Sequence, residues 1–144
     1  MSTPAEIITQ LETQLANNAT LSYVKKVMLG YRENITAFPS IVIEPGEDNE
    51  TEERYGKQTI SFDVTVVGCI SVTDKDKQIV GDSGTKGILD FQNDIKKAID
   101  SDRTLGGKCL HARTPNTKYK VNFPYREVAI TVRILFEQNT NVRT

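Results

Sequence analysis

The chain is poor in the residues that build redox, metal and nucleophilic centres. Its 144 residues include one histidine, two cysteines, two methionines and no tryptophan. Cys69 and Cys109 are far apart, and a single histidine accompanies them, which excludes a zinc cluster and a dense disulfide framework. Both read as ordinary buried or half-buried thiols. The absence of tryptophan excludes nothing. Charge of one sign is missing too: 18 Lys and Arg stand against 19 Asp and Glu, a net charge of −1 with a pI near 5.9. Without a basic excess there is no general attraction to a phosphate backbone, which argues against a dedicated DNA or RNA binder. No stretch approaches 18 apolar residues, and residues 1–6 have no basic run leading into an apolar one. The sequence therefore predicts a soluble, unexported protein with no membrane partner. The sequons at Asn18, Asn34 and Asn49 then carry no meaning.

What is there is ordinary. Apolar residues make up 38% and charged residues 26%, the composition of a globular domain large enough to hold a core without disulfide or metal. One domain over residues 1–144 is expected, with no repeat, linker or low-complexity block dividing it.

Thr3-Pro4 places a cap residue and a first-turn proline before Ile7, Ile8, Leu11 and Leu15, which predicts an amphipathic helix ending near Asn17 and Asn18. Within residues 20–31 a strand is favoured, and Ile41-Val42-Ile43-Glu44 reads as a short strand stopped by Pro45-Gly46. Residues 46–56, with Glu47, Asp48, Glu50, Glu52 and Glu53 against Arg54, read as a solvated acidic loop. Ile60, Phe62, Val64 and Val66 alternate with polar residues, the period of a strand with one buried face. Residues 73–87 carry three glycines and no periodicity and read as an exposed, mobile connection. Asp82 or Ser83 is placed to cap a second helix through Ile88, Phe91, Ile95 and Ile99. A short strand over 108–113, a turn at Thr114-Pro115-Asn116-Thr117, and alternating strands through Tyr119-Val121-Phe123 and Val128 to Phe136 follow; residues 139–144 form a polar tail. Short turn-bearing links predict an α+β fold: an antiparallel or mixed β-sheet with two main helices packed on one face.

No motif argues an active site. Residues 81–87 lead into a helix as a phosphate loop does, but Lys86 follows Thr85 where a Walker A motif needs Gly-Lys-Ser/Thr. Cys109 and His111 share a strand face without an oxyanion loop around them. Asp90 and Asp94, at i and i+4, could hold Mg²⁺ and keep a metal-dependent hydrolase as the outside alternative. A polar helix face explains them as well. No catalytic residue, cofactor or metal is assigned, and the reading is an interaction module rather than an enzyme.

The order of landmarks resembles the tail terminator, or tail completion, proteins of long-tailed bacteriophages. The landmarks are the first helix; Phe38-Pro39-Ser40-Ile41-Val42-Ile43-Glu44-Pro45; the alternating strand at 60–67; Ile88-Leu89-Asp90-Phe91-Gln92-Asn93-Asp94-Ile95; Asp102 with Leu105-Gly106-Gly107; and Arg126 through Phe136. The resemblance implies a homo-oligomeric ring, typically a hexamer, that sits on the last ring of the tail tube and ends its polymerisation. Its other face would meet the head-tail connector or neck, and DNA would pass through the hole without specific binding. It implies a place in the virion, with the host cytoplasm as the site of assembly. Under it, Glu47, Asp48, Glu50, Glu52 and Glu53, together with Lys75, Lys77 and Lys86, are the candidate ring, tube or channel contacts. Another neck component, such as a head completion or stopper protein, is the alternative.

Overall fold

The computed structural model describes residues 3–30, 37–50, 57–71, 87–122 and 125–139. Helix α1 (Pro4–Ala16) begins where the extended Thr3 accepts the Glu6 N–H on its hydroxyl and Pro4 supplies a preset φ. Ile7, Leu11 and Leu15, four apart, make its buried stripe. A 3-10 turn, Ala19–Leu21, capped by the Asn18 side chain, leads towards β1 (Lys26–Leu29). Strands β2 (Ser40–Glu50) and β3 (Lys57–Ser71), helix α2 (Ile88–Asp100), and strands β4 (His111–Asn122) and β5 (Tyr125–Asn139) complete the order.

One five-stranded sheet runs β1-β2-β3-β5-β4. The β1–β2 pair is parallel and the others are antiparallel, so the α+β fold carries a mixed sheet. Phe91, Ile95, Ala98 and Ile99 of α2 and the α1 stripe form one core with Ile41, Ile43, Phe62, Val64, Val66, Ile130, Val132 and Ile134 of the sheet. Burying each large aliphatic side chain contributes about 1.5–3 kcal/mol relative to exposure. Gly68 sets how close α2 lies: a Cβ there would meet the Phe91 and Ile95 side chains at 2.9 Å. Gln14 fastens the helices together, its Nε2 donating to the Ala98 and Ile99 carbonyls in the last turn of α2.

Several expectations are corrected. The strand expected within 20–31 occupies only Lys26–Leu29, because a 3-10 turn precedes it. Of the acidic loop expected over 46–56, the part up to Glu50 is strand, and residues 51–56 lie outside the described residues. β2 continues to Glu50 through a register shift between Pro45 and Asp48, and glycine at 46 lets the backbone pass Asp63, whose carbonyl oxygen would lie 2.7 Å from a Cβ. The turn expected at 114–117 is a bulge within continuous β4, between Arg113 and Asn116. Pro115 is tolerated there because β4 is an edge strand and a bulge residue owes no ladder N–H. Residues 108–110 precede β4 instead of opening it, and two expected strands become one. The N-cap of α2 is Gly87, with no side-chain cap bond, and not the expected Asp82 or Ser83, which lie outside the described residues; the helix starts where its buried stripe starts, at Ile88. Of the expected connection at 73–87 only Gly87 is among the described residues, and of the tail only Asn139, which ends β5.

Candidate functional site

The helices cover one sheet face, and the other bears the alternate residues of the same strands. Cross-strand register orders that outer face into rows. One row runs Met28, Val42, Val67, Ala129, Lys118, and a second runs Lys26, Ser40, Cys69, Glu127, Lys120. Towards β1 the face is apolar and closed: Val42, Val67 and Cys69 are fully buried, with Met28, Phe38 and Ala129 packed on them. Towards β4 it is open and cationic, and His111, Arg113, Lys118 and Lys120 are all exposed.

The bulge in β4 creates this set. Strict alternation would place Arg113 and Lys118 on opposite faces. The extra residue between Arg113 and Asn116 restores the phase, so that Arg113 pairs with Arg133, Asn116 with Thr131, Lys118 with Ala129 and Lys120 with Glu127. Asp63, across β5 from Arg113, accepts from Arg133 Nε at 3.0 Å and from Nη2 at 3.2 Å. This hydrogen bond and its charge raise the Arg133 guanidinium above its ordinary range. His111, Arg113, Arg133 and Leu135 line a shallow depression of about 320 Å³.

The turn before β4 fixes where that strand begins. Asp102 gathers the Thr104 hydroxyl at 2.6 Å, the Gly106 N–H at 2.9 Å and the Thr104 N–H at 3.0 Å, which hold its carboxyl below the usual range. Leu105 is buried at a left-handed φ of 49°, Leu110 N–H donates to the Leu135 carbonyl, and Ala112 N–H donates to the Arg103 carbonyl.

Of the interaction residues named from sequence, Glu47, Asp48 and Glu50 lie on the final stretch of β2, where Asp48 pairs with Phe62 and Glu50 with Ile60. Glu52, Glu53, Lys75, Lys77 and Lys86 lie outside the described residues. The Asp90 and Asp94 pair is divided. Asp90 is exposed, whereas buried Asp94 accepts the Tyr23 hydroxyl at 2.6 Å. Burial first, then this bond, pushes the Tyr23 phenol above its ordinary range. Among the described residues, no group of three or more His, Cys, Asp or Glu is placed to hold a metal ion. Cys69 and Cys109 are both free and buried, as the sequence reading had it. Burial pushes the Cys109 thiol up to about 11, and its Sγ donates to the Arg103 carbonyl at 3.5 Å. That is a poor starting point for a nucleophile next to an exposed His111.

Sequence reasoning missed Arg113, Arg133 and Asp63 as a set. The pairing of Lys118 and Lys120 at i, i+2 was a usable signal; the cross-strand register that adds Arg113 was not in the sequence pattern. No protein-family model matches the chain, and no curated protein matches it.

Proposed function

We propose that this protein is a structural ring subunit that caps a phage tail tube, ends its polymerisation and provides the joint to the neck, acting by docking rather than by bond making. The observation that carries the reading is the segregation of charge across one sheet. Arg113, Lys118 and Lys120 occupy the β4 flank, while Glu47, Asp48 and Glu50 end β2 on the other side of β3 and β5. Two unlike patches on opposite flanks are what a head-to-tail contact needs, and such contacts close into rings when the rotation divides the circle. The order of landmarks in the sequence supports the same reading. With about 800 Å² buried per partner, six contacts of this kind make a stable ring.

The test is light scattering with negative-stain imaging of the purified protein, then its addition to polymerising tail-tube protein. Six subunits around a central hole, and tubes that stop growing on its addition, are expected. Tubes that grow on unaltered overturn the reading, and turnover of a small molecule would replace it with an enzymatic one.

A further inference from the structure

We infer that the outer face of β4 is the seat for the acidic end of β2 from a neighbouring copy of this chain. The inference rests on the ring reading and names its subunit contact. Its starting point is a local imbalance. Arg113 and Arg133 stand directly opposite each other on the exposed sheet face, and like charges so placed destabilise an antiparallel pair. Asp63 compensates Arg133 through two hydrogen bonds. For Arg113 the described residues provide no hydrogen bond or ion pair, and its side chain is exposed.

Further cations follow along the strand, with one buried carboxylate, Glu127, opposite Lys120. Residues 111–122 contain Arg113, Lys118 and Lys120 and no carboxylate, and the bulge brings all three cations to one face. The complementary charge exists in the same chain: residues 44–50 of β2 hold four carboxylates and no lysine or arginine. In the same subunit these positions lie across the sheet from β4. β3 and β5 lie between β2 and β4, a separation of about 14 Å at roughly 4.8 Å per strand. A second copy, rotated so that its β2 flank meets this β4 flank, brings the two together.

The depression beside Arg113 suits a carboxylate-bearing segment. Its guanidinium offers the planar fork that binds a carboxylate through two parallel hydrogen bonds. Leu135, 37% exposed, supplies an apolar wall next to it. Because the joined patches differ, the contact is heterologous and propagates around a ring instead of stopping at a dimer.

The experiment reverses each patch and then recombines them. One variant carries Arg113→Glu, Lys118→Glu and Lys120→Glu; the other carries Glu47→Lys, Asp48→Lys and Glu50→Lys. Each is measured alone and in equimolar mixture by size exclusion with light scattering, at about 0.05 M salt, where exposed charges are weakly screened. Wild-type protein is expected at ring mass, and each variant alone is expected to associate at least about tenfold more weakly. The mixture is expected to regain ring mass, since alternating subunits then present complementary patches at every joint. A ring of wild-type mass from either variant alone overturns the contact and leaves the ring reading standing. So does a mixture that stays monomeric although circular dichroism shows both variants folded. Wild-type protein that remains monomeric up to millimolar concentration removes the ring reading and this contact with it. Where a triple variant fails to fold, the pair Arg113→Glu and Glu50→Lys repeats the test with one charge on each side.

Discussion

The two faces of the sheet are cut from the same strands and live under different rules. On β5, Ile130, Val132 and Ile134 are fully buried beneath the helices, while Thr131, Arg133 and Leu135, one residue along in each case, reach solvent. Packing fixes the first set: a buried position admits one shape and no unpaired charge. The second set is free of that demand, and this is where Arg113, Arg133, Lys118 and Lys120 accumulate. The outer face repeats the lesson within itself. Its β1 side is closed by Val42, Val67 and Cys69, and its β4 side is open and charged.

The largest expected effect tests that division directly. Ile130→Ala should cost about 2–5 kcal/mol in denaturant unfolding, since it empties a site enclosed by strand and helix side chains. Thr131→Ala, its neighbour on the other face, should stay within about 0.5 kcal/mol. Similar losses at the two positions would break the account of one load-carrying face.

A smaller loss is expected from Tyr23→Phe. It removes the phenol that donates to buried Asp94 and leaves that carboxylate one donor short, at about 1–3 kcal/mol. The pH dependence has a definite sign. The folded state raises the Tyr23 pKa above its unfolded value. Its contribution is therefore complete below about pH 10 and is lost as pH rises beyond that. Wild-type protein should lose its margin over Tyr23→Phe in alkaline unfolding curves. A margin that widens with rising pH would contradict the assignment.

How much of this was legible in the sequence follows the same division. The helix-bearing face was readable because burial imposes a period: Ile60, Phe62, Val64 and Val66 at two, and Ile88, Phe91, Ile95 and Ile99 at three and four. Both helices and the main strands follow from those spacings. The outer face was not readable, because its residues answer to register, and register depends on two bulges that composition disguises. Pro45-Gly46 and Thr114-Pro115 have the residues of chain-reversing turns, yet the ladder carries the chain straight through both. The second bulge alone decides whether Arg113 and Lys118 share a face. The acidic run was visible in the sequence, whereas the cationic set assembles only when β4 pairs with β5.

A gain is expected where the inner face is imperfect. Thr117 sits opposite Ile130, and among the described residues its buried hydroxyl has no hydrogen-bond partner. Replacing it by valine keeps the branched shape and removes the unpaired polar atom, so Thr117→Val should raise stability by about 1 kcal/mol. Unchanged or lowered stability would mean that the hydroxyl is satisfied in solution.

The smallest expected effect separates compensation from mere proximity on the outer face. Asp63→Asn keeps the shape of the side chain and removes the charge that pairs with Arg133. The ion pair is partly exposed, so its loss should be slight, largest at low ionic strength, and absent near 1 M salt, where the screening length falls to about 3 Å. What makes the measurement informative is the second cation. If Arg113 and Arg133 repel across the β4–β5 ladder and Asp63 offsets that repulsion, then Arg113→Gln alone should stabilise the free subunit slightly, and Asp63→Asn should cost less in the Arg113→Gln background than in wild type. Thermal unfolding of the four proteins at low and high salt closes this double-mutant cycle. Equal costs in both backgrounds would show that the two arginines do not interact, and Arg113 would then lose its claim to an uncompensated charge awaiting a neighbour's carboxylate.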